Sequence, residues 1–73
     1  MAIIGKIINE GFGKTNTRIG SVLCDIKYDK EFFQIRTYAM GDMSRKNGSK
    51  QNIQLTKEKA IQIRSYLDQF INQ

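Results

Sequence analysis

The sequence has no histidine, no proline, no tryptophan and a single cysteine. Without histidine the commonest general base is missing, and catalysis would fall to a carboxylate pair or to an activated cysteine or lysine. One cysteine closes no intrachain disulfide, and with no histidine beside it the chain offers no ligand set for structural zinc. The seven acidic residues are scattered. Asp25, Asp29 and Glu31 come near one another only around a turn, with Lys27 and Lys30 between them, so no carboxylate cluster for a hard cation forms. The chain therefore reads as a non-enzyme with no metal, no cofactor and no small-molecule substrate. Long apolar runs are also absent. Lys6 interrupts the opening Met1–Ile8 stretch and Glu10 follows, leaving no signal-peptide core, and no window approaches the roughly 20 apolar residues of a membrane span. A cytoplasmic protein is expected, and the free thiol of Cys24 suits a reducing compartment.

What is present is positive charge on a short chain. Twelve Lys and Arg against seven acids give +5 on 73 residues, with a pI near 9.6. That balance points to an anionic partner, nucleic acid before an anionic membrane surface. The length allows one domain, residues 1–73, with a structured unit spanning 3–72 and no repeat or linker. A domain this small buries only about 60% of the surface its unfolded chain exposes, so self-association is expected.

Ile3 to Ile8 is short and β-branched and reads as a strand, followed by a Gly-rich polar loop through Thr17. From Ile19 to Tyr28 the period is two, with Val22, Cys24, Ile26 and Tyr28 on one face. Cys24 on that face is an inert small hydrophobe. Tyr28 to Glu31 turns the chain, and Phe32 to Met40 alternates again, which predicts an antiparallel hairpin. Gly41 to Gln51 is a basic loop, predicted to be mobile. Asn52 to Leu55 is a brief strand. Thr56 is an N-cap candidate with Glu58 in the first turn, and Ala60, Ile63, Leu67, Phe70 and Ile71 recur at helical spacing, predicting an amphipathic helix from Lys57 to about Ile71. The order is strand, strand, strand, strand, helix: an α+β chain.

The outward face of the third strand should carry Gln34, Arg36 and Tyr38 about 7 Å apart in succession. An arginine beside an aromatic ring on an open sheet suits a nucleic-acid strand, the guanidinium meeting phosphate and the ring a base. Lys27, Tyr28 and Lys30 lie at the hairpin end. The same pattern also fits a structural arrangement, in which Arg36 pairs with Asp25 across the strands and Tyr38 and Phe32 cover the face against a partner subunit. Arg45, Lys46 and Lys50 sit in a loop able to close over a phosphate backbone, and Lys14 and Arg18 bracket the first long loop. Gly11-Phe12-Gly13-Lys14-Thr15 lacks the first glycine of a P-loop and no helix follows, so it is not a nucleotide site.

The string Phe32-Phe33-Gln34-Ile35-Arg36-Thr37-Tyr38-Ala39-Met40, then the basic loop, Asn52-Ile53-Gln54-Leu55-Thr56 and the amphipathic helix, resembles the single-stranded-DNA-binding family of eukaryotic positive cofactor 4 and its small bacterial relatives of the YdbC type. The resemblance covers residues 19 to 71. It implies a four-stranded antiparallel sheet with a C-terminal helix, dimerised through helices and sheet ends, with single-stranded DNA running over the sheets. Position by position, Arg36 would be the strand arginine of the binding face, Tyr28 and Lys30 the aromatic and basic residues at the hairpin end, and Lys50 the basic residue before the fourth strand. Ala39 stands where many relatives have Trp, so the stacking platform is either lost or moved to Tyr38 or Phe32. Gly48-Ser49-Lys50-Gln51 replaces the usual Gly-Lys-Gly and carries less charge.

The function expected is therefore sequence-tolerant binding of single-stranded DNA by a homodimer, with RNA or an RNA–DNA hybrid as secondary ligands, in transcription, replication or repair. A protein-interaction or transcription-regulatory module whose basic face docks an acidic partner is the alternative.

Overall fold

The computed structural model describes all 73 residues. Its elements are β1 (Ala2–Ile3), β2 (Cys24–Tyr28), β3 (Phe32–Thr37), β4 (Gln51–Thr56) and α1 (Lys57–Ile71). The four strands form one sheet in the order β1-β4-β3-β2. β2 and β3 are the predicted antiparallel hairpin, with Asp25 opposite Arg36 and Tyr28 opposite Phe33. Its turn is closed by Asp29, whose Oδ1 accepts from the backbone N–H groups of Glu31 and Phe32, both at 2.8 Å. This is the local side-chain bonding that makes Asp a turn former.

Two expectations are corrected at β1. It spans two residues instead of Ile3 to Ile8, and it runs parallel to β4, with Ala2 opposite Ile53 and Ile3 opposite Gln54. The sheet is thus mixed, not wholly antiparallel. The reason for the short strand lies in its neighbour. Continuing the register brings Gly5 level with Thr56, where β4 gives way to helix and a ladder partner no longer exists. The last ladder bond runs from Ile4 N–H to the Gln54 carbonyl at 2.9 Å. β2 likewise starts at Cys24 instead of Ile19, because β3, its only neighbour, ends at Thr37.

α1 matches its predicted range. The Thr56 hydroxyl accepts from Lys59 N–H at 3.3 Å, and the Thr56 backbone is extended, so the last residue of β4 is also the N-cap. No loop separates strand from helix.

The pleat divides the sheet into two faces. Phe33 and Leu55, then Ile26, Ile35 and Ile53, occupy one; Lys27, Gln34 and Gln54, then Asp25, Arg36 and Asn52, occupy the other. Leu55 is buried, and with Phe33 and Ala60 it lines a small cleft at the start of α1. Gln62, Ile63 and Tyr66 are half-buried, and beyond them Leu67, Phe70 and Ile71 are exposed. The apolar stripe is therefore covered only along its first half. Ile26 and Ile53 are exposed as well.

The cap gives a direct test. Thr56→Ala should lower stability by about 1 kcal/mol in urea unfolding at fixed protein concentration, with Thr56→Ser close to wild type. An unchanged midpoint for the alanine variant would mean the hydroxyl does not support the helix.

Candidate nucleic-acid interface

The polar face is organised by one carboxylate. Asp25 lies on the edge strand β2 opposite Arg36 of β3, the directly paired position in which side chains meet. Arg36 donates from Nε to Oδ1 at 2.7 Å and from Nη2 to Oδ2 at 3.0 Å, a two-pronged guanidinium–carboxylate pair. Tyr38 follows two residues later on the same face, and its hydroxyl donates to Oδ2 at 2.7 Å. Arg45 reaches back from the following loop and donates from Nη1 to Oδ2 at 3.0 Å. Four donors from three side chains thus converge on Asp25.

Of the structural arrangement, the Arg36–Asp25 pair is present, while Tyr38 is covered within the chain itself and Phe32 is exposed. Arg36 does pair with Asp25; its side chain is 26% exposed, and its Nη1 has no protein partner. Tyr38, expected on the open face as a stacking ring, is instead buried at 6% exposure. Its ring is not presented to a base. The physical reason is the hydroxyl. Asp25 takes it as a neutral donor between two guanidinium groups, which fixes the ring against the sheet while Arg45 closes over the same carboxylate.

The loop between β3 and β4, expected to be mobile, is built around specific hydrogen bonds. Asp42 accepts from Lys46 N–H at 3.0 Å and from Asn47 N–H at 3.2 Å, and Asp42 N–H donates to the Ala39 carbonyl at 3.0 Å. Arg45 has φ 60, the left-handed region that non-glycine residues occupy only where something holds them. The Asp25 contact holds it.

The charge balance follows. The Arg36, Tyr38 and Arg45 hydrogen bonds hold the Asp25 carboxyl well below the usual aspartate range, Arg36 contributing most. Asp25 in turn raises the Tyr38 phenol and holds both guanidinium groups charged. The Asp29 carboxyl is also lowered, by the backbone N–H groups of Phe32 and Glu31.

Of the remaining expected binding residues, Lys27, Lys30, Lys46 and Lys50 are exposed and have no acidic partner, the chain's ion pairs being Asp25 with Arg36 and Arg45, and Glu58 with Lys59. Lys27 shares a shallow cleft of about 240 Å³ with Tyr28, Asp29, Phe32, Gln34 and Arg36. Lys50 N–H donates to the Thr37 carbonyl at 2.7 Å, immediately before β4 begins. Tyr28 lies on the opposite face, where its ring stacks on Phe33 with centroids 6.1 Å apart and planes 14° apart. It remains 74% exposed and reaches the rim of the cleft. Lys14 and Arg18 are exposed on the long segment between β1 and β2, and neither enters the Asp25 cluster.

Phe32, which the resemblance offered beside Tyr38 as a stacking ring, alternates with Gln34 and Arg36 and lines the cleft. The sequence pattern marks Asp25 only as a structural partner of Arg36. Neither family models, nor curated proteins, nor solved structures yield a match to this chain.

Linkage fixes the acid behaviour of the cluster. A carboxylate whose folded pKa is depressed contributes its full stability above the unfolded value near 4, loses it progressively as pH falls below that value, and has lost it once pH has fallen through the folded one. In a carboxyl-detected NMR titration, Asp25 should stay ionised at pH values about one unit below the ordinary aspartate midpoint. A normal midpoint near 4 would show the four-donor cluster does not hold in solution.

Proposed function

We propose that this chain binds single-stranded DNA with little regard to sequence, as a homodimer, with RNA and RNA–DNA hybrids as weaker ligands. The observation that carries the reading is the cleft on the polar face. There the exposed ring of Phe32 adjoins Lys27, Gln34 and the free edge of Arg36 on an open sheet. An aromatic ring flanked by cations on a groove suits a strand whose phosphates need neutralising and whose bases offer flat faces. Phe32, with Tyr28 at the rim, takes the stacking role expected of Tyr38. Lys27, Lys30 and Lys50 supply charge that no acid of the chain cancels.

The element order agrees with the resemblance to the positive cofactor 4 family: a hairpin, a basic loop, a fourth strand passing into a C-terminal helix. The parallel β1 and the buried Tyr38 depart from it. A homodimer is supported by shape, since the radius of gyration is 14.1 Å where a closely packed chain of this length has about 11 Å. A role in transcription, replication or repair follows from single-strand binding in general.

Fluorescence anisotropy with a single-stranded oligonucleotide, its duplex and the RNA equivalent, each at two salt concentrations, tests the reading. The single strand should bind tightest, and Lys27→Ala and Lys50→Ala should each lower the salt slope by about 0.7. Phe32→Ala should cost affinity equivalent to roughly 1–3 kcal/mol with the slope unchanged. Preference for duplex, or three variants indistinguishable from wild type, would sink it.

A further inference from the structure

Segment 4–23, between β1 and β2, contains no helix or strand. Its backbone is tied to the rest of the chain only near its ends, by Ile4 N–H to the Gln54 carbonyl and by Tyr38 N–H to the Leu23 carbonyl. Between them, the Asn9 side chain accepts from Gly11 N–H within the segment itself. Ordering a residue costs about 1–2 kcal/mol of backbone entropy, and this single chain offers the segment almost nothing in return. Yet its composition is not that of a linker. Ile8, Phe12, Ile19 and Val22 are apolar and exposed, Phe12 at 91%.

The segment faces a surface with the same deficiency. Gly11, Phe12, Gly13 and Thr15 stand across an open gap of about 640 Å³ from Tyr66, Gln69 and Phe70 of α1. Phe70 is 70% exposed, and Leu67 and Ile71 beside it are also uncovered.

Area shows the size of what is missing. The chain exposes 6647 Å², whereas a folded monomer of its mass exposes about 4,600 Å². The difference, roughly 2,000 Å² per chain, exceeds the ~800 Å² per partner of a standard interface and falls in the range of obligate dimers. An excess of that size, with apolar residues of the segment and of α1 uncovered, matches what a second copy covers in an obligate dimer.

We propose that segment 4–23 is an assembly arm: in a two-fold homodimer the same elements of a second copy fill the gap between Phe12 and Phe70, so arm and helix end become ordered together. The inference rests on the homodimer reading and adds to it the surface used. In an isologous contact both chains present the same patch, so each apolar substitution acts twice.

Light scattering over a concentration series, with Phe12→Asp, Phe70→Asp and Phe12→Leu, tests this. The wild type should have the two-chain mass, and both aspartate variants should weaken association at least about a hundredfold, with the leucine variant retaining most of it. Far-UV circular dichroism checks the fold: helix lost in Phe12→Asp but regained at higher protein concentration supports the arm, whereas loss independent of concentration overturns it. Isotope-filtered NOEs in a mixed-label sample should connect the Phe12 ring to the other chain. A wild-type monomer would overturn both the arm and the homodimer. A dimer that loses association with Phe70→Asp but not with Phe12→Asp would overturn the arm alone, and NOEs confined to one chain would do the same.

Discussion

The convergence of Arg36, Tyr38 and Arg45 on the Asp25 carboxylate is the interaction on which the polar face depends. A carboxylate on an edge strand would ordinarily be solvated and of little structural value. Here it joins β2, β3 and the following loop, because one charge-assisted acceptor takes donors from each. The consequence is selective. Two arginines of a basic chain are paired, a tyrosine is withdrawn from the surface, and Lys27, Lys30, Lys46 and Lys50 are left without an acidic partner. The face therefore separates a fixed centre from a ring of free cations, and any polyanion would meet the lysines first.

How much of this is legible in the sequence depends on whether the signal is local. α1 is readable end to end because its cap, first-turn acid and apolar period lie within a few residues of one another, and those local preferences act whatever the sheet does. The hairpin is readable for the same reason: Asp29 closes the turn through its own neighbours. β1 is not. Its Ile-rich run satisfies strand propensity over six residues, but pairing is set by where β4 ends, which no property of Ile3–Ile8 contains. Tyr38 shows the limit most clearly. Alternation correctly places it on the Arg36 face, yet its burial is decided by an arginine seven residues along, held in a left-handed turn. Period-two patterning assigns a face and is silent on what folds over it.

The two faces of the sheet also differ in what they leave unfinished. On the polar face the Asp25 cluster satisfies its own donors, and one buried acceptor, Asn52 Oδ1, has no partner. The apolar face and the outer half of α1 are open, with Ile26, Ile53, Leu67, Phe70 and Ile71 in water and only Leu55 well covered. Hydrophobic burial, the main force that drives folding, is thus largely unused in one chain. The polar side chains and the uncovered apolar ones thus occupy opposite surfaces of a single layer.

Because β4 passes into α1 through Thr56 alone, the sheet and helix behave as a bent rod with no joint. Fifteen helical residues extend about 22 Å from that corner. A twist of β4 by about 10° would sweep the far tip of the helix through about 4 Å, given that length.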